Sequence, residues 1–133
     1  MKVKGFTLIE LMVVILIVGI LAAASVPMMR GRIDSAKWSE ANATAGTIKS
    51  AVRVFYAENG TSTGIIGTMD TGSIQTALGF TDADLTGTYF ISSDYEITGV
   101  NTDGQATVVV TASQTNAPTA GTTKTLSAAG VWQ

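Results

Sequence analysis

An acid stands in this sequence where an acid is costly. The run from Leu8 to Val26 is apolar except for Glu10 near its start and Ser25 near its end. An ionised carboxylate inside a membrane-spanning segment costs a few kcal/mol, so it marks a functional site unless it snorkels to the interface. The chemistry open to it is pairing with a cation, because a buried charge is tolerable when paired and hydrogen-bonded and expensive when alone. Other chemistry is thin. The chain has no cysteine and no histidine, which removes thiol–imidazole and Ser–His nucleophiles, most zinc sites and any disulfide. Asp94, Glu96 and Asp103 are the acid group that suggests a metal, but they lack EF-hand spacing and are expected on a solvated surface. No catalytic residue and no cofactor is assigned.

The apolar run must hold Glu10 in place. Its 19 residues span roughly 28 Å at about 1.5 Å per residue, close to a hydrocarbon core of about 30 Å. The rival reading is a secretory signal peptide, with Lys2 and Lys4 as its basic region and Ala22-Ala23-Ala24 as its cleavage site. A β-rich protein would then start near Ser25. The acid at Glu10 and a run longer than the usual apolar region of about 7–15 residues oppose it. N-terminal sequencing of the mature chain separates the two. Basic residues stand on both sides, Lys2 and Lys4 before the run and Arg30 and Arg32 after it, so charge bias does not decide orientation.

The stretch GFTLIE followed by LMVVILIVGILAAASVP is similar to the N-terminus of a type IV pilin with its class III leader. Gly5, Phe6, Glu10, Gly19 and Pro27 fall where that family carries its placed features. The likeness is close over about thirty residues and general beyond them. It implies cleavage by a prepilin peptidase after Gly5, N-methylation of Phe6, and Glu10 at the fifth position of the mature chain. It also implies the leader inside the cell and the C-terminus outside. Cleavage frees an α-amino group with a reference pKa of about 7.7–8.0, largely protonated at neutral pH. The expected role of Glu10 is to pair with the Phe6 ammonium of a neighbouring subunit and so set one axial register. Gly5, lacking a Cβ, lets the backbone approach a peptidase site closely.

Gly19 and Pro27 are the expected flexing points of the membrane helix. Proline removes a backbone donor, and glycine weakens a helix by about 1 kcal/mol relative to alanine. Gly19 with Ala23 also makes a small-xxx-small pair that favours close helix approach. Pilin filaments suggest that this segment unwinds on leaving the bilayer; a merely kinked helix is the plainer alternative.

From Met28 an amphipathic helix is expected to about Glu58, closed by Asn59-Gly60. Trp38, Ala41, Ala45, Ile48, Val52 and Phe55 recur at spacings of three and four and form one apolar stripe. Core packing is the expected role for Trp38, Phe55 and Tyr56, rather than a cofactor or electron-transfer site. Residues 59–73, rich in Gly, Thr and Ser, read as a loop. A short helix capped by Ser73 is expected to end at Gly79, and Thr81–Asp84 reads as a turn. Strands are expected at Thr88–Ser92, Tyr95–Val100, Gln105–Ala112 and Thr122–Ser127, with Val131–Gln133 returning after Ala128-Ala129-Gly130. The threonine-rich composition also admits O-glycosylation.

The sequence therefore divides into a leader (1–5), a hydrophobic transmembrane and polymerisation helix (6–29), an amphipathic half of that helix (30–58), and an αβ-loop with a C-terminal sheet (59–133). The expected fold is α+β, a long N-terminal helix packed on three to four antiparallel strands. Eight basic and ten acidic residues give a net charge of −2, no electrostatic footprint for duplex nucleic acid. The resemblance implies a non-enzymatic subunit of a type IV pilus, a homopolymer. It implies contacts with the prepilin peptidase, the inner membrane as precursor and the assembly machinery, and a final place in a surface filament serving adhesion or motility. A pseudopilin of type II secretion or a minor pilin is the nearest alternative. The absence of an acid cluster tilts against the calcium-binding pseudopilins. A binding domain or enzyme tethered by the helix is the alternative of a different class.

Overall fold

The computed structural model describes Met1, residues 5–118 and residues 122–133. They form two compact units, Met1–Ile33 and Asp34–Gln133. Helix α1, Leu8–Asn59, contributes to both. In the first unit the helical residues are exposed, and the most apolar 18-residue window has a mean hydropathy of 2.7. Among the described residues no second layer covers this apolar surface within the unit, and an apolar surface of this extent marks a site for lipid or for other chains.

The C-terminal unit is a helix on a sheet. Trp38, Ala41, Ala45, Ile48 and Val52 of α1 are buried, and Phe55 is half-buried against the same core. After α1 ends, Gly60 takes a left-handed φ of 67° and donates its N–H to the Tyr56 carbonyl at 2.8 Å. That conformation suits glycine because it has no Cβ to clash. Four antiparallel strands follow in spatial order: β1 (Gly67–Thr68), β2 (Tyr95–Val100), β3 (Ala106–Thr111) and β4 (Thr123–Leu126). Val108 faces Ile97 on one side and Leu126 on the other, and Val110 faces Tyr95 and Lys124. Tyr95, Ile97, Ala106, Val108, Val110 and Leu126 are buried, whereas alternating residues are more exposed. This two-residue period supplies the apolar face that meets the α1 stripe.

Two short helices, α2 (Gly72–Leu78) and α3 (Asp82–Leu85), lie between β1 and β2. Ser73 does not cap α2; Thr71 occupies the cap position, so the helix starts one residue before the expected cap. Gly79 closes α2 in the left-handed region with φ 75°. Thr81–Asp84 is a helix start, not a plain turn. The Asp84 carboxylate accepts the Thr81 N–H at 2.8 Å and hydroxyl at 2.6 Å, a capping arrangement that holds its carboxyl below the usual carboxylate range.

Three further expectations are corrected. Residues 88–91 form no strand, because the Thr88, Tyr89 and Phe90 N–H groups donate to the Glu40 carboxylate at 3.0, 2.8 and 3.1 Å. Donors spent on a side chain cannot join a ladder. The loop 59–73 contains β1, whose Gly67 and Thr68 pair with Ile97 and Glu96. Asp94 is buried rather than solvated, accepting the Ile91 N–H at 2.9 Å and a hydrogen bond from the Ser113 hydroxyl. Among the described residues no acid group has the makings of a metal site.

The C-terminal end is fastened without a disulfide. Thr125 and Gln133 exchange two backbone hydrogen bonds of 2.9 Å around the Ser127–Gly130 turn. Lys49 of α1 donates to the Ser127 and Ala128 carbonyls at 2.7 and 2.6 Å.

Candidate assembly site

Helix α1 begins within a T-x-x-E signature, Thr7-Leu8-Ile9-Glu10. Glu10 Oε2 accepts both the Thr7 N–H, at 2.8 Å, and the Thr7 hydroxyl, at 2.7 Å. The Glu10 N–H in turn donates to Thr7 Oγ1 at 3.4 Å. This is a capping box, which satisfies donors that the first helical turn leaves without intrahelical acceptors. A carboxylate at this end also meets the positive pole of the helix dipole. Oε1 has no donor among the described residues.

Phe6 precedes the helix with 83% of its surface exposed. Phe6, Leu11 and Val14 border the same shallow apolar depression as Glu10. Gly5 is exposed and outside regular structure, while Lys2 and Lys4 lie outside the described residues. Within one chain, then, Glu10 meets its own Thr7, and no cation among the described residues contacts it.

Gly19 lies inside α1 with open space where a Cβ would stand, so no packing contact in the single chain requires glycine there. Pro27 also lies inside α1, which stays helical around it. Ser25 hydroxyl donates to the Leu21 carbonyl at 2.8 Å, a back-bond within the same stretch. Of the stripe residues, Trp38 has its ring centre 5.1 Å from that of Phe90, the two rings tilted by 45°, and lies under Lys124 Nζ at 4.7 Å.

Thr7 was readable as a partner of Glu10 from the T-x-x-E spacing, yet the membrane argument alone does not reach it. Glu40 had no local signal: it sits among α1 residues 30–58, and its acceptor role requires backbone 48 to 50 positions away.

Comparison with known proteins addresses the same residues. The family described as the prokaryotic N-terminal methylation motif matches residues 1–26. Fimbrial protein EcpC of Eikenella corrodens is 49% identical over 57 residues, 43% of this chain and 37% of that protein. Type IV major pilin protein PilE1 of Neisseria gonorrhoeae is 50% identical over 68 residues, 47% of this chain and 41% of its own. Type IV narrow pilus major component PilA5 of Thermus thermophilus is 46% identical over 54 residues, 41% of this chain and 47% of its own. The chain spans less than half the length of these relatives. No solved structure matches it. The likeness to type IV pilins therefore lies in the N-terminal half of the chain, where the methylation motif and the apolar helix stand.

Proposed function

We propose that this chain is a structural subunit of a type IV pilus, cut after Gly5 by a prepilin peptidase, methylated on Phe6 and polymerised through α1. It carries out no reaction of its own. The precursor waits in the inner membrane and the mature chain passes into a surface filament through the pilus assembly machinery. The observation that carries this reading is the pairing of a methylation motif at residues 1–26 with an apolar helical stretch that is exposed among the described residues. Lipid covers it in the precursor, and neighbouring copies of the same helix cover it in the fibre.

Glu10 gives the polymer its register. Oε2 stays with Thr7, and Oε1 accepts the Phe6 ammonium of the adjacent subunit. Methylation of that nitrogen keeps its charge. Because an unpaired charge in an apolar environment is far more costly than a paired one, a subunit out of register is disfavoured. Gly19 and Pro27 mark the stretch that yields when the helix leaves the bilayer: Pro27 supplies no N–H to the carbonyl one turn before it.

The testing variant is Glu10→Ala. The chain should still insert in the membrane, and the recovery of sheared filaments should fall steeply. Glu10→Gln should assemble poorly as well, since an amide keeps the Thr7 contacts but loses the charge. Wild-type filament yield from either variant contradicts the proposed role.

A further inference from the structure

The basic residues divide into those the fold uses and those it leaves. Lys37 Nζ lies 5.3 Å from the Tyr89 ring centre and 3.4 Å from the Ala117 carbonyl. Lys49 holds the Ser127–Gly130 turn, and Lys124 lies over Trp38. Arg53 reaches the Gln105 side-chain oxygen at 3.1 Å once that amide is oriented to satisfy both its ends. Apart from leader lysines outside the described residues, Arg30 and Arg32 remain, both exposed and without a side-chain partner among the described residues.

The acids divide in the same way. Glu10, Glu40, Asp82, Asp84 and Asp94 accept the hydrogen bonds of named neighbours, and Asp34 is also engaged. Glu58, Asp70, Glu96 and Asp103 have no side-chain partner among the described residues. Glu58 alone of these four borders the groove of about 420 Å³ between α1 and α2. Ala51, Val54, Phe55, Ala77 and Leu78 supply its apolar lining, and Val54 is 58% exposed.

We propose that this groove receives the Met28–Arg32 stretch of a second copy of the chain, with Arg32 of one copy paired to Glu58 of the other. Met28 and Met29, 71% and 62% exposed, supply flexible apolar side chains for Val54 and Phe55. Arg32 is chosen over Arg30 by its surroundings. Asp34 stands four positions after Arg30, whereas Met28, Met29, Ser35 and Ala36 are the neighbours of Arg32 one turn away. Arg32 and Glu58 are themselves 26 positions apart on α1. Side chains pair along a helix at three or four positions, so this pairing joins two copies. The guanidinium fork suits a carboxylate bidentately, which adds orientation to attraction. The contact rests on the filament reading and adds to it a second ionic contact, between Arg32 of the N-terminal unit of one copy and Glu58 of the C-terminal unit of another.

The chain has no cysteine, so Arg32→Cys combined with Glu58→Cys reports the contact directly. In fibres grown from the full chain in a piliating host and then oxidised, the double variant should give a ladder of disulfide-linked multimers. Each single variant should stop at dimers or monomers. Arg32→Glu and Glu58→Arg should each cut fibre yield severalfold, and their combination should restore it, with thermal unfolding of the C-terminal unit unchanged in all three. Wild-type fibres with neither ladder nor rescue overturn this contact and leave the filament reading standing. A wild-type chain that forms no fibre overturns both.

Discussion

At Glu10 one carboxylate oxygen closes a helix cap with Thr7, while the other has no donor among the described residues. Capping and the proposed subunit pairing therefore need not compete, since each would use its own oxygen. Glu40 is the opposite case, a carboxylate wholly given to its own fold. It draws three successive N–H groups of residues 88–90 onto α1, and a Cβ at Gly87 would collide with its Oε1. Glu40→Ala leaves those donors without an acceptor and should destabilise the C-terminal unit by about 2 kcal/mol or more. For a domain of this size that lowers the melting midpoint by roughly 10 °C. An unchanged midpoint would show that water replaces the carboxylate at no loss. Tyr95 predicts a pH effect. Burial is the main cause pushing its phenol from 10.0 up to about 12, with Glu40 and Asp94 adding to the shift and a hydrogen bond with Thr44 opposing it. The folded chain thus holds this proton more tightly than the unfolded chain. Its contribution is complete below pH 10 and is lost as the pH rises from 10 through about 12. Denaturant midpoints measured across that window should fall, and fall less in Tyr95→Phe.

Among the elements, those defined by local pattern were legible and those defined by distant partners were not. The α1 stripe could be read because residues three and four apart share a helix face. The β2–β3 hairpin could be read from Asn101-Thr102-Asp103-Gly104. There the Asn101 side-chain oxygen accepts the Asp103 and Gln105 N–H groups at 3.1 and 2.8 Å. Gly104 adopts φ 72°, and a Cβ there would lie 2.8 Å from Tyr56 Cδ1. Gly104→Ala should therefore cost about 1–2 kcal/mol from backbone strain alone, with Tyr56 displaced as well. Thermal unfolding and the hydrogen exchange of β2 and β3 amides would register it, and a neutral result would mean the turn relaxes freely. By contrast, β1 is two residues in a Gly- and Thr-rich stretch, and only its pairing with Ile97 and Glu96 makes it a strand. Residues 88–91 have strand composition, yet a glutamate far away in sequence takes their donors. The burial of Asp94 likewise depends on Ser113 and the Ile91 N–H, neither visible as a motif.

Over the whole molecule, the two compact units face different problems. The C-terminal unit buries its apolar residues between α1 and the sheet. In place of a disulfide it fastens its end with Lys49, the Thr125–Gln133 pairing and the Ser127–Gly130 turn. The apolar run of the N-terminal unit stays exposed among the described residues, and in the proposed function lipid covers it first and sister helices later. The most direct measurement is a reconstruction of the assembled filament together with the intact mass of its subunit. The expected result is a chain beginning at a methylated Phe6, with Glu10 Oε1 about 2.7–2.9 Å from the Phe6 nitrogen of the adjacent subunit. A subunit that keeps residues 1–5, or a Glu10 surrounded only by apolar side chains in the fibre, would contradict it.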